Sequence, residues 1–341
     1  MPSVCVIGAS GFTGALAAAL LHRHPSFELV AVTSRSDAGR RLDDLYPRHR
    51  VPLVLEELDL DRHGGADAAV VAYPHGAAAA TVAELRRRGV VVVDLSADFR
   101  LRDLGDYERF YGDHAAPELL DHAAYGLPEL HRERIAAAEL VANPGCYPTA
   151  TLLSLAPMAR AGILGGVVVD AKSGVSGAGR AATETTHFVS MDENVLPYGV
   201  AGHRHRPEIE QELAALGPAA PVTFVPHLLP LDQGELVSCY VDPARAVGAE
   251  ELRDLYEQAY QDEPFVEVVD RPPGVRDVHA TNICRISVHV DEGTGRPMAF
   301  GAIDNLWKGA SAQAVQNLNL MFGLDEAEGL GETASPREAR A

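Results

Sequence analysis

The chain is poor in cysteine, in aromatic residues and in positive charge. Four cysteines in 341 residues are too few and too irregularly spaced for a disulfide framework or a zinc cluster, so no metal is expected and a reducing cytoplasm is. Lys and Arg number 29 against 48 Asp and Glu, a formal net charge of −19, which argues against a general surface for nucleic acid or anionic lipid. No apolar run approaches the length that spans a bilayer, and residues 1–7 lack the basic start and long apolar core of a signal peptide. The expected partners are small molecules, with neither nucleic acid nor membrane among them. An acidic chain that handles phosphorylated ligands must concentrate its few arginines, so each Arg position is informative.

Only 6% of the residues are aromatic while 47% are hydrophobic. Ala and Val dominate, a composition that suits an α/β enzyme, and the length accommodates two domains. Residues 3–7 are an apolar run, followed by Gly8-Ala9-Ser10-Gly11-Phe12-Thr13-Gly14 and an apolar stretch over 15–21, which reads as strand, glycine turn, helix. Glycines there let the backbone approach a pyrophosphate while helix N–H groups face the anion. Gly8, Ser10, Gly11, Phe12, Thr13 and Gly14 are the expected dinucleotide contacts, although such a triplet also serves as a plain structural turn. The second strand, 29–33, ends in Ser34-Arg35-Ser36, about 20 residues past the glycines, where an NAD site usually carries an acid. Two hydroxyls and a guanidinium suit a ribose 2′-phosphate, so NADP is expected; the alternative is a solvated Arg in a turn.

A short strand is expected at 51–55. The runs 67–72 and 90–95 are apolar throughout, as in a parallel sheet covered on both faces. The first leads into Tyr73-Pro74-His75 and a helix over 78–88, which places Pro74 at a carboxyl edge where cofactors lie and leaves His75 free to cap that helix. The second leads into Ser96-Ala97-Asp98-Phe99-Arg100, where Arg100 is a candidate anion ligand or an ion-pair partner of Asp98. Residues 101–134 read as a packed excursion.

Asn143-Pro144-Gly145-Cys146-Tyr147-Pro148-Thr149 then sets one thiol between a strand and a helix. Unpaired N–H groups and the helix dipole stabilise a thiolate at that position. Cys5, Cys239 and Cys284 alternate with aliphatic neighbours and read as core residues. Beyond Cys146 come a strand at 166–171 and the glycine-rich loop Lys172-Ser173-Gly174-Val175-Ser176-Gly177-Ala178-Gly179-Arg180. His203 and His205 precede a helix over 207–215. Strands at 222–226, 236–241, 265–269, 283–290 and 298–303, with a hairpin at 291–296 and one helix over 249–260, predict a mainly antiparallel α+β domain. The helix after Asp304-Asn305-Leu306 is expected to return to the first domain, and the polar tail 326–341 to fray. The expected organisation is a Rossmann-type NADP-binding domain over 1–145 and 309–341, and a catalytic and oligomerisation domain over 146–308. A nucleophilic Cys beside a nicotinamide points to acyl reduction through a thioester, with His205 or His203 as the acid.

Blocks along nearly the whole chain resemble one family. They are Gly8-Ala9-Ser10-Gly11, Asp94-Leu95-Ser96-Ala97-Asp98-Phe99-Arg100-Leu101, Tyr125-Gly126-Leu127-Pro128-Glu129, Asn143 to Thr149, Ser173 to Arg180, His203-Arg204-His205-Arg206-Pro207-Glu208, Pro226-His227-Leu228-Leu229-Pro230 and Asp304-Asn305-Leu306. In this order they are similar to the N-acetyl-gamma-glutamyl-phosphate reductases of arginine biosynthesis. The resemblance implies a fold of the glyceraldehyde-phosphate and aspartate-semialdehyde dehydrogenase type, and NADPH-dependent reduction of an acyl phosphate to a semialdehyde. It implies Cys146 as nucleophile, His205 as acid/base with His203 beside it, and a homodimer or homotetramer. On the cofactor side it implies Ser176, Gly177 and Asn305, and on the substrate side Arg100, Ser173, Arg180 and Glu208. The alternatives are the related aminoadipyl-phosphate reductases of lysine biosynthesis, one methylene longer in substrate, and a catalytically silent NADP-binding regulator. The Cys146-Tyr147 pair fits the arginine-pathway pattern, where the lysine-pathway enzymes tend to follow Cys with Asn.

Overall fold

The computed structural model describes residues 1–200 and 202–334. Two compact units divide it, one of residues 1–145 and 310–331, the other of residues 146–309 and 332–334. Among the described residues no helix is long and apolar enough to cross a membrane.

The first unit is built on a parallel sheet. Its strands are β1 (Ser3–Ile7), β2 (Glu28–Thr33), β3 (Leu55–Glu56), β4 (Ala68–Val71), β5 (Val91–Asp94), β6 (Ala124–Tyr125) and β7 (Leu140–Ala142). They lie in the order β3-β2-β1-β4-β5-β7-β6, every pair parallel. β4 is buried from end to end, as its uninterrupted Ala and Val run requires, and β1 and β5 are buried beyond their first residue. Strand order reverses at β1 and β4, the place where the carboxyl edge of such a sheet opens a crevice. The expected strand at 51–55 survives only as β3 with a bridge from Val54 to Arg41. The excursion contains the helices Leu104–Tyr111 and Pro128–Ala136. The helix Ala312–Met321 packs in this unit: Asn317 donates to the Gly126 carbonyl at 2.9 Å and to Asn143 Oδ1 at 3.0 Å. The start of the tail is tied down rather than frayed, because Glu326 pairs with Arg132 and the Glu328 carbonyl meets His24 Nε2 at 2.9 Å; residues 335–341 lie outside the described residues.

The second unit carries β8 (Leu164–Gly174), β9 (Leu196–Pro197), β10 (Val222–Leu229), β11 (Glu235–Pro243), β12 (Val266–Val268), β13 (Cys284–Val290) and β14 (Pro297–Ile303). Their order is β12-β13-β14-β11-β8-β10-β9. Four of the pairings are antiparallel, and β8–β10 and β12–β13 are parallel. The glycine-rich loop begins later than expected, since the β8 ladder to β10 continues through Ser173 and Gly174. Gly174 serves close packing there: a Cβ would stand 2.7 Å from the Asp232 carbonyl oxygen. The helix Cys146–Arg160 is buried along almost its whole length, with Tyr260 donating to the Leu153 carbonyl at 2.5 Å.

Candidate active site

In the first unit, the turn after β1 has the shape a dinucleotide needs. Gly8 has φ +87°, and a Cβ there would lie 2.6 Å from the Ala72 carbonyl oxygen. At Gly14 it would lie 2.4 Å from the Gly8 carbonyl oxygen. A Cβ on Gly11 would meet nothing nearer than 3.8 Å, so this glycine faces open space. The helix Phe12–His22 starts at Gly11 with no side-chain cap and no acid in its first turn. Its N–H groups are thus presented to an anion, and the cradle fits a pyrophosphate. Ser10 Oγ and Ser34 Oγ are 2.8 Å apart, joining the glycine turn to the end of β2. Arg35 lies exposed, its guanidinium carbon 4.9 Å from the centre of the Tyr73 ring, one residue before Pro74. An acid does follow this turn: Asp37 is buried, but its carboxylate accepts from Ser36 Oγ at 2.8 Å and from Arg40 Nη1 at 3.0 Å.

At the carboxyl end of β5 the structure rearranges the expected roles. His75 Nδ1 accepts the Ala97 N–H at 2.9 Å and does not cap its own helix. That cap comes from Asp98, whose carboxylate accepts the N–H groups of Gly76, Ala78 and Ala79 at 2.6, 2.9 and 2.9 Å. Arg100 is buried and donates from Nε to the Asn143 carbonyl and from Nη2 to the Leu95 carbonyl, both at 2.8 Å. It thereby ties the ends of β5 and β7. Asp94 is buried too, and burial raises its carboxyl to about 7 although Ser96 Oγ donates to it at 2.6 Å.

In the second unit Cys146 is the first residue of its helix and the one cysteine with partial exposure. All four cysteines are thiols rather than disulfide halves. Burial pushes Cys5 up to about 12 and Cys239 well above the ordinary thiol range, which makes both poor nucleophiles. Gly309 lets its chain pass the thiol closely, since a Cβ there would lie 2.8 Å from Cys146 Cβ. Both histidines stand against Tyr147: the ring centres of His203 and His205 are 6.0 and 5.9 Å from its own, and 4.9 Å from each other. The two differ in role. His203 Nδ1 accepts the backbone N–H of His205 at 3.1 Å, and burial, helped by the Arg204 charge, lowers its imidazole to about 4. His203 is therefore a neutral ring that fixes where His205 begins its helix.

Ser173, Ser176, Gly177 and Asn305 come together. Asn305 donates from Nδ2 to Ser176 Oγ at 3.0 Å and accepts the Gly234 N–H at 2.7 Å. A Cβ on Gly177 would lie 3.1 Å from Ser173 Oγ. Arg180 is exposed, whereas Glu208 is buried in the first turn of the helix Arg206–Leu216. Two participants escaped the sequence reading. Tyr198 donates to Tyr147 Oη at 3.3 Å. Glu235 has no solvent exposure and faces the Cys146 thiol, and burial raises its carboxyl to about 8. Its signal was present: Glu235, Val237, Cys239 and Val241 follow the period of two that points residues to one face.

The family model of the semialdehyde dehydrogenase NAD binding domain matches residues 3–138, and that of the semialdehyde dehydrogenase dimerisation domain matches residues 146–305. An N-acetyl-gamma-glutamyl-phosphate reductase of Moorella thermoacetica is 49% identical over 332 residues, covering 94% of this chain and 95% of its own. One of Desulforudis audaxviator is 49% identical over 341 residues, covering 97% and 98%. Among solved structures, aspartate semialdehyde dehydrogenase II of Vibrio cholerae superposes with a TM-score of 0.73 at 20% identity, over 95% of this chain and 98% of that one, and thus shares the fold. The chain belongs to the semialdehyde dehydrogenase family and, within it, to the N-acetyl-gamma-glutamyl-phosphate reductases.

Proposed function

We propose that this chain catalyses the NADPH-dependent reduction of N-acetyl-L-glutamyl 5-phosphate to N-acetyl-L-glutamate 5-semialdehyde, with release of phosphate. The observation that carries the reading is the partly exposed thiol at a helix start whose next residue, Tyr147, packs against two histidines, in a chain nearly half identical to reductases of that name. The thiolate of Cys146 attacks the acyl carbon; a carbon–sulfur bond forms and phosphate leaves with the carbon–oxygen electron pair. NADPH, when bound, supplies the hydride that reduces the thioester carbon. His205 gives a proton to the oxygen that develops there, and His203, neutral and bonded to the His205 backbone, holds it in place. Collapse breaks the carbon–sulfur bond, and the semialdehyde leaves.

The cofactor's pyrophosphate belongs on the Gly8 to Gly14 turn, with Ser34, Arg35 and Ser36 on the ribose 2′-phosphate and Pro74 lining the edge. Ser176, Gly177 and Asn305 face the nicotinamide end. Arg100, Ser173, Arg180 and Glu208 take the substrate, Arg100 as the buried cation for its phosphate. The lysine-pathway alternative is not favoured, because the relatives at 46–49% identity carry the arginine-pathway name. The match to a dimerisation domain supports a homodimer or homotetramer, and four undisulfided cysteines fit a reducing cytoplasm. An assay of NADPH oxidation that compares N-acetylglutamyl and aminoadipyl phosphates tests the substrate. Cys146→Ser is expected to lower turnover on the order of 10³-fold or more; full turnover in that variant overturns the mechanism.

A further inference from the structure

Glu235 is a carboxyl that the reaction as written leaves without a task. It opens β11, where its backbone pairs with Ser173 on one side and Ile303 on the other. Gly234 before it is anchored on Asn305. The side chain is thus fixed in the interior of the second unit, with no solvent exposure. Neither of its oxygens has an N–H or O–H donor among the described residues, and the group within reach is the Cys146 thiol. A structural role does not account for this. A dry acid without donors or a cation costs free energy that an aliphatic side chain in the same space would not.

We propose that Glu235 is the immediate proton acceptor of the Cys146 thiol, so that the pair, once it has given up one proton, holds a single negative charge, on oxygen before the attack and on sulfur at the moment of attack. The proposal rests on Cys146 being the nucleophile. The S–H bond breaks, its electron pair stays on sulfur, and the proton forms an O–H bond on Glu235. The neutral carboxyl then faces the thiolate as a donor, and the proton returns when the sulfur leaves the substrate carbon. The groups that face the carboxyl support one charge rather than two. Asp304, fully buried beyond the end of β14, opposes a second charge there. Tyr147 and Tyr198 are phenols that burial and the Glu235 charge keep protonated. Among the described residues none of the groups acting on the carboxyl is a cation. Burial first, and Asp304 after it, bring Glu235 to about 8, close to an ordinary thiol at about 8.5. Near-equal affinities are the condition for easy exchange of a proton.

Alkylation of the full-length enzyme by iodoacetamide, followed across pH with the modified peptide identified by mass, reads Cys146 without substrate. The wild-type profile is expected to rise in two steps, because two coupled acids share the charge. Glu235→Gln keeps the shape but accepts no proton: it is expected to leave a single step and to lower kcat about 100-fold with KM within about twofold. Glu235→Asp is expected to keep two steps at a changed spacing, and it carries the test if the Gln variant does not fold. A profile in either variant superimposable on wild type overturns the proposal. A merely structural Glu235 would scale the rates and leave the two-step shape. If Cys146→Ser keeps full turnover, the nucleophile assignment fails; if that variant is inactive and the profiles do not change, only the role of Glu235 fails.

Discussion

Asp98 in the first unit and Glu235 in the second are both carboxyl groups without solvent exposure, and their surroundings treat them in opposite ways. Asp98 accepts three backbone N–H groups and, at 3.2 Å, the Tyr107 hydroxyl. The helix Ala79–Arg87 has no cap from its own N-terminal residue, and Asp98 supplies one from twenty residues away in sequence. Glu235 meets no such donors. Burial alone therefore does not decide what an acid does; the donors around it decide. With donors the charge becomes part of the scaffold. Without them the group prefers its proton, which makes it available for chemistry beside a thiol.

The largest effect that would sharpen this contrast is in stability. Asp98→Ala strands three N–H groups at a helix start, those of Ala78 and Ala79 buried, and is expected to cost about 4 kcal/mol in urea unfolding. A loss below about 1 kcal/mol would mean that water replaces the carboxylate there, and the contrast would fail. Glu235→Gln is expected to act in the other direction and to depend on pH. A carboxyl raised from 4.5 to about 8 stabilises the fold below its unfolded value and loses that contribution as pH rises through the folded one. The wild type should therefore lose stability relative to the Gln variant by about 1.4 kcal/mol per pH unit within that window, roughly 3 kcal/mol by pH 7. Unfolding of both proteins at pH 5 and pH 8 measures it. A difference that does not change with pH would show Glu235 ionised like any surface acid.

The two acids also show what the sequence makes legible. The glycine turn, the apolar strands and the thiol at the helix start can be read directly, because each depends on local geometry: a positive φ at Gly8, uninterrupted burial, one junction at Cys146. Asp98 is visible only as an acid two residues before Arg100. Its cap partners lie twenty residues back, at Ala78, and sequence separation hides them. Glu235 falls one residue before the strand expected at 236–241, where an acid after a glycine reads as the polar end of a turn. Its period of two with Val237, Cys239 and Val241 assigns it to their face, and the pairing of β11 with β8 and β14 carries that face inward. The histidine pair was legible as a pair and not as two roles, because the bond from the His205 backbone to His203 Nδ1 is a feature of the turn rather than of composition.

The smallest expected effect concerns the cation proposed to read the cofactor. Arg35 is exposed on the face of Tyr73, a stacking that holds the guanidinium over the end of β4 at little entropic cost. The nearby Asp37 does not compete for it, since that carboxylate is occupied by Ser36 and Arg40. For the proposed contact of Arg35 with a 2′-phosphate, in solvent, the expected contribution is about 1 to 2 kcal/mol. Arg35→Ala is expected to weaken NADPH binding about tenfold and NADH binding less than about twofold, with the NADPH effect shrinking at high salt. Tryptophan fluorescence quenching or calorimetry with each nucleotide measures it. Equal weakening of both nucleotides would show that Arg35 merely packs against the adenosine. The first unit would then lack its phosphate-reading cation, and only the glycine turn and Asp98 would remain to show that it meets anions with donors.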